Sequence, residues 1–151
     1  MEQSMEKEEV MGKAVLYFTT GFNCAEALLL ALQEALNEEE NNIIPRIATP
    51  FGAGIGGRGS VCGALSGAIM AIGLKYGRME PVEGLEAYNL ALELYRQFEE
   101  KFGSALCYDL TDCDLTSFLG FEKYYEERVF QRCVEYVKGA VELFLDLLNK
   151  K

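Results

Sequence analysis

Val61-Cys-Gly-Ala-Leu-Ser-Gly-Ala-Ile-Met-Ala-Ile-Gly-Leu-Lys-Tyr76 contains no acidic residue, and its only formal charge is Lys75, one position from its end. Wound as a helix, it is apolar on almost every side, so other elements must surround it. Gly63, Ala64, Gly67, Ala68 and Ala71 are small enough to let neighbouring helices come close. The run is too short and too glycine-rich to span a bilayer. A buried central helix at about 60–77, ended by Gly77, is the feature around which the rest of the fold is read.

Upstream lies Gly52-Ala-Gly-Ile-Gly-Gly-Arg-Gly59, a segment with little side-chain bulk. Ser60 reads as the N-cap of the central helix, which sets Cys62 in its first turn. Unpaired backbone N–H groups and the helix dipole there favour a thiolate, the form of cysteine that acts as nucleophile and metal ligand. Arg58 stands ready to assist such an anion, although a surface arginine is by default simply solvated. Gly52-x-Gly54-x-x-Gly57 matches the dinucleotide fingerprint formally, but that motif needs a preceding strand, and Ala48-Thr-Pro-Phe51 is not one. Nor is it a Walker A loop, because Gly59 is followed by Ser60 rather than Lys.

Working outward, Val10, Met11, Ala14, Val15 and Phe18 recur at helical spacing, with Gly21 as their stop. Asn23 and Glu26 have the spacing of a capping box, opening a helix that carries Ala25, Leu28, Leu29, Leu32 and Leu36 on one face. Glu38 to Asn42 is a polar break, and Ile43 to Phe51 suggests a short helix or turn. Val82 to Phe102 is predicted helical. Phe130, Cys133, Val134, Val137, Val141, Phe144, Leu145 and Leu148 follow an i, i+3, i+4, i+7 pattern. With no alternating strand pattern and no hairpin dipeptide, the chain reads as one all-α domain over residues 1–151. It is a bundle of about five helices, with irregular structure at Gly52–Gly59 and Ser104–Gly120.

Composition narrows the chemistry. The 151 residues carry a net charge of −10, which makes nucleic acid and anionic membranes poor partners. There is no histidine, so Ser-His-Asp and Cys-His catalysis and His-ligated zinc are excluded. The acidic N-terminus lacks the basic-then-apolar order of a signal peptide, and a cytoplasmic location is expected. In that compartment the five cysteines are expected to be reduced, catalytic or metal-bound rather than structural disulfides.

A lone cysteine on a helix is by default a small buried hydrophobe, and Cys133 suits that description. Cys62 and Cys24 stand apart because each follows a predicted helix start. Cys113, between Asp112 and Asp114, is the least promising, since carboxylates raise a thiol pKa. No pair is spaced Cys-x-x-Cys, so neither a thioredoxin-type pair nor a zinc ribbon is written in the sequence.

Asn23-Cys24-Ala25, Cys62-Gly-Ala-Leu-Ser-Gly67, Cys107 and Cys133 together resemble a family of redox-active proteins named for the cysteine pattern C_GCAxxG_C_C. The resemblance covers about Gly21 to Val137. It implies four functional cysteines, Cys24, Cys62, Cys107 and Cys133, with Cys113 outside the set. The first expectation is a thiol–disulfide oxidoreductase with Cys62 as attacking thiolate, Cys24 as resolving partner and no cofactor. Cys107 and Cys133 would form a second pair, and the redox partner would be a protein or a small thiol. The second expectation is an iron–sulfur cluster or zinc held by the same four thiolates. The third is a non-enzymatic helical module, a homo-oligomer packed through its small-residue helix.

Overall fold

The computed structural model describes residues 6–39, 41–82 and 84–150. The acidic N-terminal residues 1–5 and part of the polar break, Glu40, lie outside them. In chain order come α1 (Lys7–Thr19), α2 (Cys24–Ala35), a 3-10 helix (Arg46–Phe51), α3 (Gly52–Ile55), α4 (Gly63–Tyr76), α5 (Glu86–Phe102), α6 (Cys107–Thr111), α7 (Phe118–Glu126) and α8 (Val129–Asn149). Among the described residues there is no strand, only an isolated antiparallel bridge between Val61 and Leu106. The class is all-α, as the periodicity predicts.

α4 is the centre, packed against α2, α5 and α8. Leu65 and Ile72 of α4 meet Leu28, Leu29 and Leu32 of α2, Leu94 and Phe98 of α5, and Val137, Val141 and Phe144 of α8 in one buried cluster. Each such side chain, removed fully from water, contributes about 1.5–3 kcal/mol. Gly67 explains how α2 and α4 approach so closely. A Cβ there would stand 2.5 Å from the Ala25 carbonyl oxygen and 2.8 Å from Leu28 Cβ. α1 is tied to α2 by Glu34, which accepts hydrogen bonds from the Tyr17 hydroxyl and, at 3.0 Å, from Lys13 Nζ.

Three boundaries differ from the sequence reading. α4 begins at Gly63, and the residue capping it is Cys62, not Ser60. The cause is a short ladder of backbone bonds: Cys62 N–H donates to the Ala105 carbonyl at 2.7 Å, and Cys107 N–H donates to the Ser60 carbonyl at 2.6 Å. These hold 60–62 against the start of α6. α5 begins at Glu86, not Val82; Pro81 and Gly84 interrupt the pattern, and Glu83 lies outside the described residues. Ser104–Gly120, read as irregular, contains α6 and the start of α7.

The glycine segment is not a plain loop. Ala53, Gly54, Ile55, Gly56 and Gly57 all have positive φ, 53° to 89°, and so form a left-handed turn. Left-handed backbone costs an L-residue roughly 1–2 kcal/mol, and a β-branched residue such as Ile55 is a rare occupant. The turn is held by Gly56 N–H on the Pro50 carbonyl (2.9 Å) and Ser60 N–H on the Gly54 carbonyl (2.9 Å).

Candidate functional site

Three helices start at one place, and each brings a cysteine with it. Cys24 is the first residue of α2, Cys62 caps α4, and Cys107 is the first residue of α6. Cys133, one turn into α8, faces the same space. All four line a cavity of about 410 Å³. Phe18 and Thr19 of α1, Phe121, Tyr124 and Tyr125 of α7, and Phe130 and Tyr136 of α8 complete most of its wall. Cys113, buried near the same elements, is not part of the lining; its thiol points to the Thr111 carbonyl at 3.4 Å. All five cysteines are free thiols.

The placement of Cys24 follows from local sequence. Asn23 accepts from Glu26 N–H at 2.9 Å, and Glu26 accepts from Asn23 N–H at 2.9 Å, closing the predicted capping box. That fixes the first turn of α2. Gly63 then lets the Cys24 sulfur settle against the start of α4, since a Cβ on Gly63 would lie 2.3 Å from Cys24 Sγ. Backbone N–H groups of Ala53, Ala25, Cys24 and Gly63 all bear on this sulfur and favour its charged form. Ala53 supplies its N–H from within the left-handed turn, so the strained backbone ends on a thiol.

The other thiols have fewer such donors. Cys62 is reached by the N–H groups of Ala64 and Leu65, but it is 6 % exposed. Burial pushes its thiol well above the ordinary range, against the lowering that a helix start alone predicts. Burial likewise pushes Cys107 up to about 12 and Cys133 up to about 11, the latter eased by a hydrogen bond from Tyr124. Cys24 is also raised, chiefly by burial. Its charge bears on each of the other three, so Cys24 is the thiol all of them share.

Arg58 does not serve the site. It is exposed, does not line the cavity, and its charge bears on Asp114 instead. The nearby cations on α7 and α8 are also engaged: Lys123 Nζ donates to Asp112 (2.8 Å), and Arg132 donates to the Thr111 carbonyl (3.1 Å). These contacts pin the end of α6, while Tyr136 donates to the Leu110 carbonyl at 3.0 Å. Tyr124 and Ala53 are the residues that sequence reasoning missed. Tyr124 stands in an ordinary Lys-Tyr-Tyr-Glu stretch, and Ala53 acts only through its backbone.

The four thiols suit either thiol exchange or soft-metal ligation by residue type. Among the described residues, no three His, Cys, Asp or Glu side chains are gathered as a metal-holding group. No described helix is long and apolar enough to cross a membrane.

Residues 22–147 match the family described as "Putative redox-active protein (C_GCAxxG_C_C)". An Archaeoglobus fulgidus protein, described as an uncharacterized protein, is 34% identical over 154 residues, covering 95% of this chain and 96% of that one. No solved structure matches the chain.

Proposed function

Because the chain belongs to the C_GCAxxG_C_C family, we propose that it is a thiol–disulfide redox protein in which Cys24 and Cys62 form the working pair. One observation carries this reading: four cysteines from four separate helices line one cavity, with Cys24 against the residue that follows Cys62. A collapse of scattered cysteines into the core would not gather this set while leaving Cys113 out.

Cys62 is the attacking thiol on sequence grounds alone; we assign that role to Cys24 instead, because more backbone donors bear on its sulfur. Both line the cavity, Cys24 as a half-buried residue and Cys62 as a buried one. The Cys24 thiolate, held by its backbone donors, attacks one sulfur of a partner disulfide and expels the other as thiolate, giving a mixed disulfide. Cys62 then attacks Cys24 Sγ and releases the second partner thiol. The two thiol protons pass to the leaving sulfurs, and the protein, two electrons poorer, holds a Cys24–Cys62 disulfide. The same steps run backwards when a partner dithiol reduces it. Cys107 and Cys133 make a second pair able to exchange with Cys24.

Trapping tests the order. Cys62→Ser is expected to accumulate a stable mixed disulfide on Cys24 when mixed with a chromogenic aromatic disulfide. Cys24→Ser is expected to react slowly and leave Cys62 unmodified. Equal trapping on Cys62 in the Cys24→Ser variant would restore the original assignment.

A further inference from the structure

The exchange chemistry names the electron donor, a dithiol, but leaves open what finally takes the electrons. The cavity bears on this. None of the side chains lining it carries a formal charge, although a quarter of the whole chain is Asp, Glu, Lys or Arg. Its walls are aromatic instead. Phe18 and Phe130 stack at 4.9 Å and 12°, and Phe121 packs on Tyr125 at 5.2 Å. Phe121 and Tyr125 are exposed as well as lining, so the cavity opens to solvent between rings rather than between charges. About 410 Å³ is within the range of small-molecule sites and accommodates a one- or two-ring molecule beside the thiols.

An anionic acceptor is disfavoured twice: it would leave its carboxylates unpaired in an apolar space, and it would approach a protein of net charge −10. We propose that the cavity binds an uncharged, flat, conjugated two-electron acceptor of the quinone class, which oxidises the Cys24–Cys62 dithiol. This rests on the redox reading above. The Cys24 sulfur adds to a ring carbon of the quinone. Cys62 attacks that sulfur, the carbon–sulfur bond breaks, and hydroquinone leaves with both thiol protons on its oxygens. One quinone is reduced by two electrons for each disulfide formed.

The test uses the reduced full-length protein without oxygen and three oxidants: duroquinone, glutathione disulfide and diamide. Duroquinone is fully methylated and so forms no lasting thiol adduct. The expected result is saturable oxidation by duroquinone, a mass loss of two hydrogens, one hydroquinone per Cys24–Cys62 disulfide, and slower reaction with anionic glutathione disulfide. Phe121→Lys, at a position already 52% exposed, is expected to slow duroquinone several-fold without slowing iodoacetamide at Cys24. Glutathione disulfide reacting faster, or duroquinone reacting without saturation, overturns the acceptor class and leaves the redox pair standing. If diamide also forms no Cys24–Cys62 disulfide, the redox reading itself fails.

Discussion

Gly63 and Gly67 sit four residues apart on one face of α4, and each is excluded from bearing a side chain for a different reason. At Gly67 the obstruction is α2 backbone, so Gly67→Ala is expected to cost about 1–3 kcal/mol by forcing two core helices apart, measured by urea unfolding. At Gly63 the obstruction is the Cys24 sulfur itself. Gly63→Ala is therefore expected to damage redox chemistry more than stability, slowing mixed-disulfide formation at Cys24 in a protein that still folds. Equal losses in both assays for both variants would mean that Gly63 is only a packing residue. This is how Cys-Gly-Ala-x-x-Gly was legible before the structure: the motif marked a cysteine at a helix start. What it could not show was that its first glycine serves the distant Cys24.

At the scale of elements, the left-handed turn at Ala53–Gly57 is the least expected piece. Its glycines announced a loop, but Ala53 and Ile55 are residue types that avoid positive φ, so no local rule could have predicted the turn. The tertiary frame imposes it, and it ends with Ala53 N–H on Cys24. Ile55 is 45% exposed and loses little by truncation, so Ile55→Gly is expected to relieve strain and stabilise the protein by up to about 1 kcal/mol. Destabilisation would show that the side chain, not the backbone, matters there. The long helices α1, α2 and α8 were legible because their apolar residues recur every three or four positions, and α4 because it is an almost unbroken apolar run. α7 was not: in Phe-Leu-Gly-Phe-Glu-Lys-Tyr-Tyr-Glu only Gly120 is buried, and its rings face the cavity or solvent. Pattern reading assumes that aromatic residues cover a core, whereas Phe121, Tyr124 and Tyr125 line the cavity.

For the whole molecule, the buried thiols link redox state to stability. Cys107 and Cys133 hold their protons more tightly when folded, up to about 12 and 11, than in the unfolded chain. The folded state therefore binds more protons in that window, and stability falls as pH rises above the ordinary thiol value near 9. Reduced protein is expected to unfold at lower denaturant at pH 10 than at pH 8; an unchanged midpoint would mean that these thiols are not shielded. Oxidation acts in the opposite direction. A Cys24–Cys62 disulfide closes a loop of about forty residues, which adds up to about 4 kcal/mol by restricting the unfolded chain. An oxidised form no more stable than the reduced one would argue against that pairing.

The redox reading turns on the proposed electron exchange by the Cys24–Cys62 dithiol. It is tested most directly by counting thiols and bound metal on protein purified without oxygen, before and after mild oxidation, and then mapping the bonded peptides. Metal-free protein with five titratable thiols that are lost in pairs is expected, the first pair joining the peptides of Cys24 and Cys62. Stoichiometric iron or zinc would contradict it in favour of a thiolate metal site. Five thiols inert to oxidation would contradict it in favour of a helical module without redox chemistry.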